Sequence, residues 1–394
     1  MAGTPVLLFS GTPIIFEPTT YEEAIACLDA PLWIEAMVKE SNAFIHNRSF
    51  IDVPRPAKTN VVKGKWLFRV KLLPGEDPVY KARYVAKGFT QKHGFDFFET
   101  YSPTATLPVV RVFHAPHDPS TVWKLLRPVY GLKQASREWH AKLSSTLREL
   151  GFRPSRAASS LFLRTTPSPF YILVYVDDML LAADTDAEMQ EVKDEPQRRL
   201  ACKDLGEVRN YLGMEITRDL KAKTISLSQS FYIEKVLERF GMSKAKPIAT
   251  PLAVGHQLSP PATPTDSSNP YAELVGALMY AMVCTRPDLA YPVSVLARFV
   301  GVGRHTEEHM TAARCVLRYL QHTKDYTLTL GGADPPVLTS FSDSSWADSQ
   351  PDRRNSQGYG FTLGSGLISW RSTRSSSIAL SSCEAELYAV TMAA

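Results

Sequence analysis

The sequence predicts an α+β fold, and 394 residues are too many for one ordinary core, so we expect about two to four domains. Three observations lead to this prediction. Two short apolar runs flank residues 175–179, as in a β-hairpin. Residues 61–92 alternate apolar and basic side chains with the period of a strand. Residues 135–150 and 271–332 instead place apolar side chains at helical spacing.

The composition limits the class of protein. Hydrophobic residues make up 44% of the chain and charged residues 21%, which is ordinary for a soluble globular protein. The formal net charge of +4 permits a nucleic-acid partner without demanding one. No stretch approaches the roughly 18 unbroken apolar residues of a membrane span, so no membrane association is expected.

The five cysteines are scattered along the chain, without the close spacing of a zinc site or a disulfide framework. They are Cys27, Cys202, Cys284, Cys315 and Cys383. This usage fits a reduced, intracellular setting, cytoplasmic and/or nuclear.

The N-terminal region is predicted to be helical after an unassigned segment. Residues 1–16 are apolar but lack the basic start of a signal peptide, so we interpret them as a loop or strand. Thr20 begins a capping-box pattern and therefore a short helix. A second helix is predicted to begin at Pro31, with Trp33 and Met37 roughly on one face.

Residues 61–92 are predicted to form a β-ribbon with one basic face, turned at Pro74 and Gly75. Its basic residues are Lys63, Lys65, Arg69, Lys71, Lys81, Arg83, Lys87 and Lys92. A face of this kind can hold phosphates by charge. On composition alone, a solvated basic sheet surface explains the pattern equally well.

Asp177 and Asp178 are predicted to lie at the tip of the 171–183 hairpin. Taken alone, an acidic pair at such a tip is more often turn chemistry. Because the flanks are almost wholly apolar, however, we expect the two carboxylates to repel each other and to lose hydration unless a cation is bound. Clustered carboxylates match Mg²⁺ (or Mn²⁺), and a pair of such ions is the usual device for in-line phosphoryl or nucleotidyl displacement.

The remaining segments are predicted as helices, a linker and a final set of strands. Trp139, Leu143, Leu147 and Leu150 share one face of a helix that Gly151 ends. Residues 251–270 are rich in Pro, Ser and Thr and are interpreted as a linker. In residues 333–394, strands precede a helix that carries Glu384 and Glu386.

Several of these segments resemble, in the same order, the pol polyprotein of copia-type LTR retrotransposons. Tyr-Val-Asp-Asp-Met at 175–179 is similar to the catalytic hairpin of reverse transcriptases. Further similar segments are residues 65–71, 81–91, 98–103, 130–135, 211–216, 285–289, 358–363 and 368–370. The resemblance covers roughly residues 17–394, and chance matches would not keep this order.

The resemblance implies a right-hand polymerase of the reverse-transcriptase type, followed by a truncated ribonuclease H-like α/β domain. Residues 17–250 would be fingers, an incomplete palm and thumb, and residues 251–270 the linker. Residues 271–332 would be a helical connection and residues 333–394 the partial ribonuclease H-like domain. The implied reaction is RNA-directed DNA synthesis, in which a primer 3′-hydroxyl attacks a dNTP on an RNA or DNA template.

Roles for individual residues follow from the same resemblance. Asp177 and Asp178 would hold the metals of the polymerase. Lys81, Arg83 and Lys87 would steady phosphates, and Gln134 would line the nucleotide pocket. In the ribonuclease H-like segment Asp343 and Glu386 could share a metal, although each carboxylate taken alone is more often a surface charge. Glu386 fits the motif better than Glu384.

The sequence departs from the family at one place in the polymerase region. The similarity to the family sequence ends at Val112 and resumes at Val122. A strand, a helix and one palm carboxylate are therefore predicted to be deleted near residues 113–121. Asp118 lies between prolines and is interpreted as loop. The 394 residues also lack the later carboxylates of a ribonuclease H site, so we expect no ribonuclease activity from this chain alone.

Three hypotheses remain open at this point. The chain is an active polymerase region whose missing segment reflects a gene-model error, or it is an inactive, decayed element that retains at most nucleic-acid binding. An unrelated two-metal phosphotransferase is the third hypothesis, but it leaves the fingers and connection matches unexplained.

Overall fold

The computed structural model describes residues 16–55, 61–71, 77–91, 111–114, 121–127, 129–200, 202–253, 258–261, 270–301, 303–347 and 353–394. They belong to two compact units, Met1–Asp204 and Leu205–Ala394. Helices and strands occur in both units, in agreement with the predicted α+β class. None of the helices in these ranges has the length and apolar character needed to cross a bilayer.

The first unit contains four helices and nine strands in its described part. In chain order they are α1 (Tyr21–Ala26), α2 (Ala30–His46), β1 (Phe50–Pro54), β2 (Gly64–Lys71), β3 (Val79–Ala86), β4 (Arg111–His114), β5 (Thr121–Leu125), α3 (Ala135–Glu149), β6 (Arg153–Pro154), β7 (Leu161–Arg164), β8 (Phe170–Tyr175), β9 (Asp178–Ala183) and α4 (Asp186–Leu200). The strands form a β2-β3 ribbon, a β1-β5-β4 sheet and a β6-β7-β8-β9 sheet.

The β2-β3 ribbon packs its apolar face on α2, as its alternation predicts. Trp33 of α2 is fully buried and meets the rings of Phe68 and Tyr80 edge-on, at centroid distances of 5.2 and 4.7 Å. Edge-to-face contact is a favoured geometry for aromatic rings. Lys65 and Arg69 point to the opposite, exposed face of the ribbon.

The β1-β5-β4 sheet contains the two strands, β4 and β5, on either side of the predicted deletion. Strands β4 and β5 pair antiparallel, with Arg111 opposite Leu125 and Phe113 opposite Trp123. The other edge of β5 pairs with β1. Strand β5 is hydrogen-bonded to β1 on one edge and to β4 on the other. The strands before and after the predicted deletion therefore belong to one sheet. Asp118 lies outside the described residues.

The β6-β7-β8-β9 sheet and α3 share a core that positions the acidic hairpin. Leu143 and Leu147 of α3 are fully buried against Ile172 and Val174 of β8, and Trp139 and Leu150 pack at the edge of this cluster. Gly151 then takes a φ of +85°, a left-handed conformation that ends many helices. The predicted apolar face of this helix is therefore confirmed.

The second unit contains five helices and seven strands among the residues that are described. They are β10 (Asn210–Tyr211), β11 (Met214–Asp219), β12 (Thr224–Ser228), α5 (Ser230–Arg239), α6 (Tyr271–Cys284), α7 (Ala290–Ala297), α8 (Glu307–His322), β13 (Thr327–Gly331), β14 (Leu338–Ser345), β15 (Ser356–Leu363), β16 (Gly366–Arg374) and α9 (Ser382–Ala393). Two sheets form, β10-β11-β12-β13 and β14-β15-β16.

The second unit joins segments from both sides of residues 251–270. Helix α5, the predicted thumb, shares one apolar core with α6, α7 and α8 of the predicted connection. Strand β13 completes the sheet by pairing with β12, and Leu258 of the predicted linker is buried in the shared core. The boundary between the two units lies between Asp204 and Leu205. It does not lie at residues 251–270, because long-range contacts join the segments on either side of that stretch.

Candidate functional site

The acidic hairpin has a two-residue loop that differs from the predicted one. Tyr175 pairs with Asp178, so the loop is Val176 and Asp177, and Asp178 is the first residue of β9. Val176 takes a φ of +56°, which is unusual for a β-branched side chain. The Trp139 indole Nε1 donates a hydrogen bond of 2.6 Å to the Val176 carbonyl.

Asp177 and Asp178 are both exposed, so the expected loss of hydration is wrong. Buried side chains in β8 end at Val174, and the residues that follow it extend past the core. The two carboxylates therefore remain hydrated without a cation. Their adjacency at the hairpin tip still concentrates negative charge at one point.

Tyr130 connects this hairpin to the basic ribbon. Burial, followed by the negative charge of Asp177, raises the pKa of the Tyr130 hydroxyl, whereas the positive charge of Arg83 lowers it. On its other side the Arg83 guanidinium carbon lies 4.9 Å from the centre of the Tyr130 ring. A cation from β3 and an anion from the β8-β9 hairpin thus contact the same side chain.

The backbone around Tyr130 explains its position. The Ala86 N–H of β3 donates a hydrogen bond of 2.8 Å to the Tyr130 carbonyl. The next residue, Gly131, has a φ of +89°, and a Cβ there would lie 2.2 Å from the Ala86 carbonyl oxygen. Only glycine permits this approach, so Gly131 allows the loop before α3 to bind directly to the ribbon.

The predicted phosphate-binding residues share the ribbon and its exit. Lys81 is half-buried on β3, and burial, followed by the charges of Lys71 and Arg83, lowers the pKa of its ammonium group. Arg83 is exposed, and Lys87 follows the strand in a half-buried position. Lys81 and Arg83, two residues apart on β3, lie on the same side of the first unit's ribbon, and Arg83 contacts the Tyr130 ring.

Gln134 occupies a more enclosed position than the other predicted site residues. It is 3% exposed and immediately precedes α3. The Gln91 Nε2 donates to the Gln134 side-chain oxygen over 3.2 Å, and the Gln91 Oε1 accepts from the Lys133 N–H over 2.9 Å. Gln91, which sequence reasoning did not single out, therefore anchors the entry of α3; only its place in the similar segment 81–91 pointed to it.

Asp177 and Asp178 are the residues of the hairpin that could supply oxygens to Mg²⁺ (or Mn²⁺). Mg²⁺ prefers hard oxygen ligands, keeps several waters and is often held by one or two carboxylates together with substrate phosphates. Asp177 and Asp178 offer exposed oxygens of this kind. The described part of the chain contains no group of three or more His, Cys, Asp or Glu side chains that could hold a metal without such a substrate.

Asp343 and Glu386 lie on two elements that pack together in the second unit. Asp343 is exposed on β14, Glu386 is exposed on α9, and the helix packs against that strand. Glu384 has a different environment, because its carboxylate accepts from the Leu380 N–H at 2.7 Å and from the Tyr388 hydroxyl at 2.6 Å. The Tyr388 hydrogen bond is the main cause of the lowered pKa of Glu384.

Comparison with known proteins identifies the family. Residues 47–117 and 113–254 match the family model described as reverse transcriptase (RNA-dependent DNA polymerase), and together they span more than half of the chain. The chain belongs to the reverse transcriptase family. The match is divided into two segments that overlap at residues 113–117. This overlap lies within the predicted deletion near residues 113–121.

Similar proteins come from plant and yeast transposons. The retrovirus-related Pol polyprotein from transposon TNT 1-94 of Nicotiana tabacum is 34% identical over 423 residues, which cover 95% of this chain and 32% of the relative. That from transposon RE1 of Arabidopsis thaliana is 34% identical over 415 residues, 95% of this chain and 28% of the relative. The putative transposon Ty5-1 protein of Saccharomyces cerevisiae is 34% identical over 259 residues, 65% of this chain and 83% of the relative.

These relatives confirm the predicted resemblance to pol polyproteins of copia-type transposons. The chain spans about a third of the length of the two plant polyproteins. The alignment with the tobacco protein extends over 423 residues, whereas this chain has 394, so it includes positions that this chain lacks.

Proposed function

We propose that residues 17–250 act as the RNA-directed DNA polymerase region of a transposon Pol polyprotein. The reaction would transfer a nucleotide from a dNTP to a primer 3′-hydroxyl on an RNA or DNA template. The observation that carries this proposal is the position of Tyr130 between Arg83 and Asp177. A triphosphate bound beside Tyr130 would lie near the cations of the ribbon and the carboxylates of the hairpin.

In this proposal Lys81, Arg83 and Lys87 neutralise the phosphates of the dNTP and of the template strand. Asp177 and Asp178 hold Mg²⁺ (or Mn²⁺) together with the substrate phosphates. When bound, the ion would supply charge stabilisation at the phosphate that is attacked. Gln134, buried beside Gln91, would keep the wall of the nucleotide pocket in place.

Two observations support a retained polymerase region over an inactive, decayed element. The family match continues on both sides of residues 113–117, and the comparisons do not favour the decayed alternative. In addition, β4 and β5, the strands before and after the predicted deletion, pair in a regular antiparallel sheet. The partners that follow from the proposal are a primer–template duplex and dNTPs.

For residues 333–394 we propose a ribonuclease H-like segment. Asp343 on β14 and Glu386 on α9 would provide carboxylates for its metal site. Packing of α9 against β14 supports this pairing, and the capping contacts of Glu384 favour Glu386 as the ligand.

The test of the polymerase proposal is dNTP incorporation on an RNA template with a DNA primer, in Mg²⁺ or Mn²⁺. The purified chain should extend the primer, and the Asp177→Asn, Asp178→Asn double variant should not. Both proteins should bind the primer–template duplex with similar salt dependence, since the ribbon is unchanged. Retained binding would show that lost extension does not result from unfolding.

Extension by the double variant at the rate of the unsubstituted chain would contradict the assignment of the hairpin. No extension by either protein, with salt-sensitive duplex binding retained, would instead support a polymerase fold without catalytic activity. Absence of duplex binding even at low salt would contradict both functions.

A further inference from the structure

We infer that Trp139 is a positioning residue for the Asp177–Asp178 hairpin, acting through the carbonyl of Val176. The inference rests on the proposed function, because it concerns the same metal-binding carboxylates. Trp139 has no contact of its own with a substrate in this proposal. It would act by fixing the peptide unit that joins Val176 to Asp177.

The backbone at Val176 creates the need for such support. In two-residue hairpin loops, a positive φ at the first position is normally supplied by glycine, asparagine or aspartate. Here the position is occupied by Val176, the one β-branched residue with a φ between +20° and +160° in the described part of the chain. Sparsely populated conformations of this kind persist only when the surrounding structure holds them, and they cluster at functional sites.

Trp139 is suited to hold this conformation. Its indole Nε1 donates a 2.6 Å hydrogen bond to the Val176 carbonyl. The ring packs at the edge of the core that contains Leu143 and Leu147, both of which belong to the same helix and are fully buried. The donor is therefore attached to a rigid element, so the carbonyl and the following Asp177 have a fixed orientation relative to α3.

The second unit contains the same arrangement at another hairpin. Leu212, in the turn between β10 and β11, has a φ of +50°, and its carbonyl accepts a hydrogen bond from the Tyr280 hydroxyl of α6. In both cases a helix supplies an aromatic donor to the carbonyl of a residue with positive φ. The recurrence supports a specific role for this contact in holding strained turns.

The test compares Trp139→Phe, Val176→Gly and the double variant with the unsubstituted chain. Phenylalanine retains an aromatic ring but removes the N–H donor, and glycine removes the strain at position 176. Trp370→Phe is the matched control, because Trp370 Nε1 donates over 3.1 Å to the Met282 carbonyl, outside the hairpin. Mn²⁺ binding is measured by electron paramagnetic resonance on the chain bound to primer–template, alongside primer extension.

Trp139→Phe should weaken Mn²⁺ binding about tenfold, the lower end of the effect seen when groups that orient metal ligands are removed. Primer extension should decrease by a similar factor, with a higher Mn²⁺ concentration needed for half-maximal rate. Val176→Gly should restore most of the loss in the double variant, because glycine adopts the loop conformation without the tryptophan. Trp370→Phe should leave Mn²⁺ binding unchanged.

Mn²⁺ binding and extension by Trp139→Phe equal to those of the unsubstituted chain would overturn the inference. Equal losses in Trp139→Phe and in the double variant would also overturn it, because removing the strain would then bring no rescue. If the Asp177→Asn, Asp178→Asn variant binds Mn²⁺ like the unsubstituted chain, the proposed metal site itself fails. That result is distinguishable, since it does not depend on Trp139.

Discussion

Arg83 stacks on Tyr130, with the guanidinium carbon 4.9 Å from the centre of the ring. Burial and then the negative charge of Asp177 raise the pKa of the Tyr130 hydroxyl, so the stacked pair lies near the acidic hairpin as well as on the basic ribbon. Stacking leaves the guanidinium N–H groups at the edge of the ring available for phosphate, and arginine is more weakly hydrated than lysine. This geometry makes Arg83 a sensitive probe of nucleic-acid binding.

Arg83→Gln should reduce the salt dependence of primer–template binding. Each phosphate contact releases counterions, so losing one should lower the slope of log affinity against log salt by about 1. Arg83→Lys keeps the charge and should retain the slope. Arg199→Gln is the control, because Arg199 lies on α4 and pairs with Glu149 and Glu195. An unchanged slope in Arg83→Gln would exclude a phosphate contact at this position.

Arg286 should be essential for the stability of the second unit. Its side chain is 1% exposed and makes two hydrogen bonds to the Asp288 carboxylate and two to Thr323, while Tyr319 donates to the same Asp288. Arg286→Met removes these bonds and leaves the partners unsatisfied. We expect the free energy of unfolding to fall by about 3–5 kcal/mol, measured by urea dependence of hydrogen exchange in α8.

Arg314 offers a matched control on the exposed surface of α8. It pairs with Glu307 over 2.6 Å, and its side chain is 48% exposed. Arg314→Met should lower the free energy of unfolding by no more than about 1 kcal/mol. Equal effects of the two substitutions would contradict the structural role of the buried network.

His309 should make the second unit less stable in acid. The ring is buried, and its Nδ1 accepts the Thr306 N–H over 3.1 Å, which requires a neutral ring nitrogen. Burial is the main cause of its lowered pKa; the charge of Glu308 opposes this shift, and the charge of His305 acts in the same direction as burial. The unfolded chain therefore binds the proton more tightly than the folded chain does.

The stability from neutral His309 is thus complete above the unfolded pKa of about 6.5 and is lost as the pH falls through the lower folded value. His309→Gln keeps an acceptor at the capping-box position and removes the titration. Hydrogen exchange of α8 between about pH 7 and pH 5 should show a smaller loss of stability in His309→Gln. An identical pH profile in both proteins would contradict this prediction.

Local patterns predicted much of the molecule because they depend on nearby residues. Alternation in β2 identified the exposed Lys65 and Arg69, and helical spacing identified the buried Leu143 and Leu147. The hairpin loop was less predictable, since strand register rather than residue type decides that Val176 and not Asp178 lies in it. A valine with positive φ also gives no signal in the sequence.

Long-range contacts account for the other differences. The side chain of Gln134 is enclosed by Gln91, 43 positions earlier, so its burial was not visible in the Tyr-Gly-Leu-Lys-Gln segment. A Pro-rich stretch marks a lack of regular structure but does not show which helices pack together. Residues 251–270 were therefore interpreted as a boundary between domains, although α5 packs with the helices that follow them.

The pairing of β12 with β13 affects the order in which the chain can fold during translation. The hydroxyls of Ser226 and Thr329 lie 2.9 Å apart across these strands but are separated by 103 positions in the chain. At typical synthesis rates this interval corresponds to roughly 5–20 s. Early in that time the apolar face of α5, with Ile233 and Leu237, is uncovered, because its partner helices α6, α7 and α8 are made only as the interval proceeds. Newly made chains should therefore be clients of ribosome-associated chaperones until β13 has emerged.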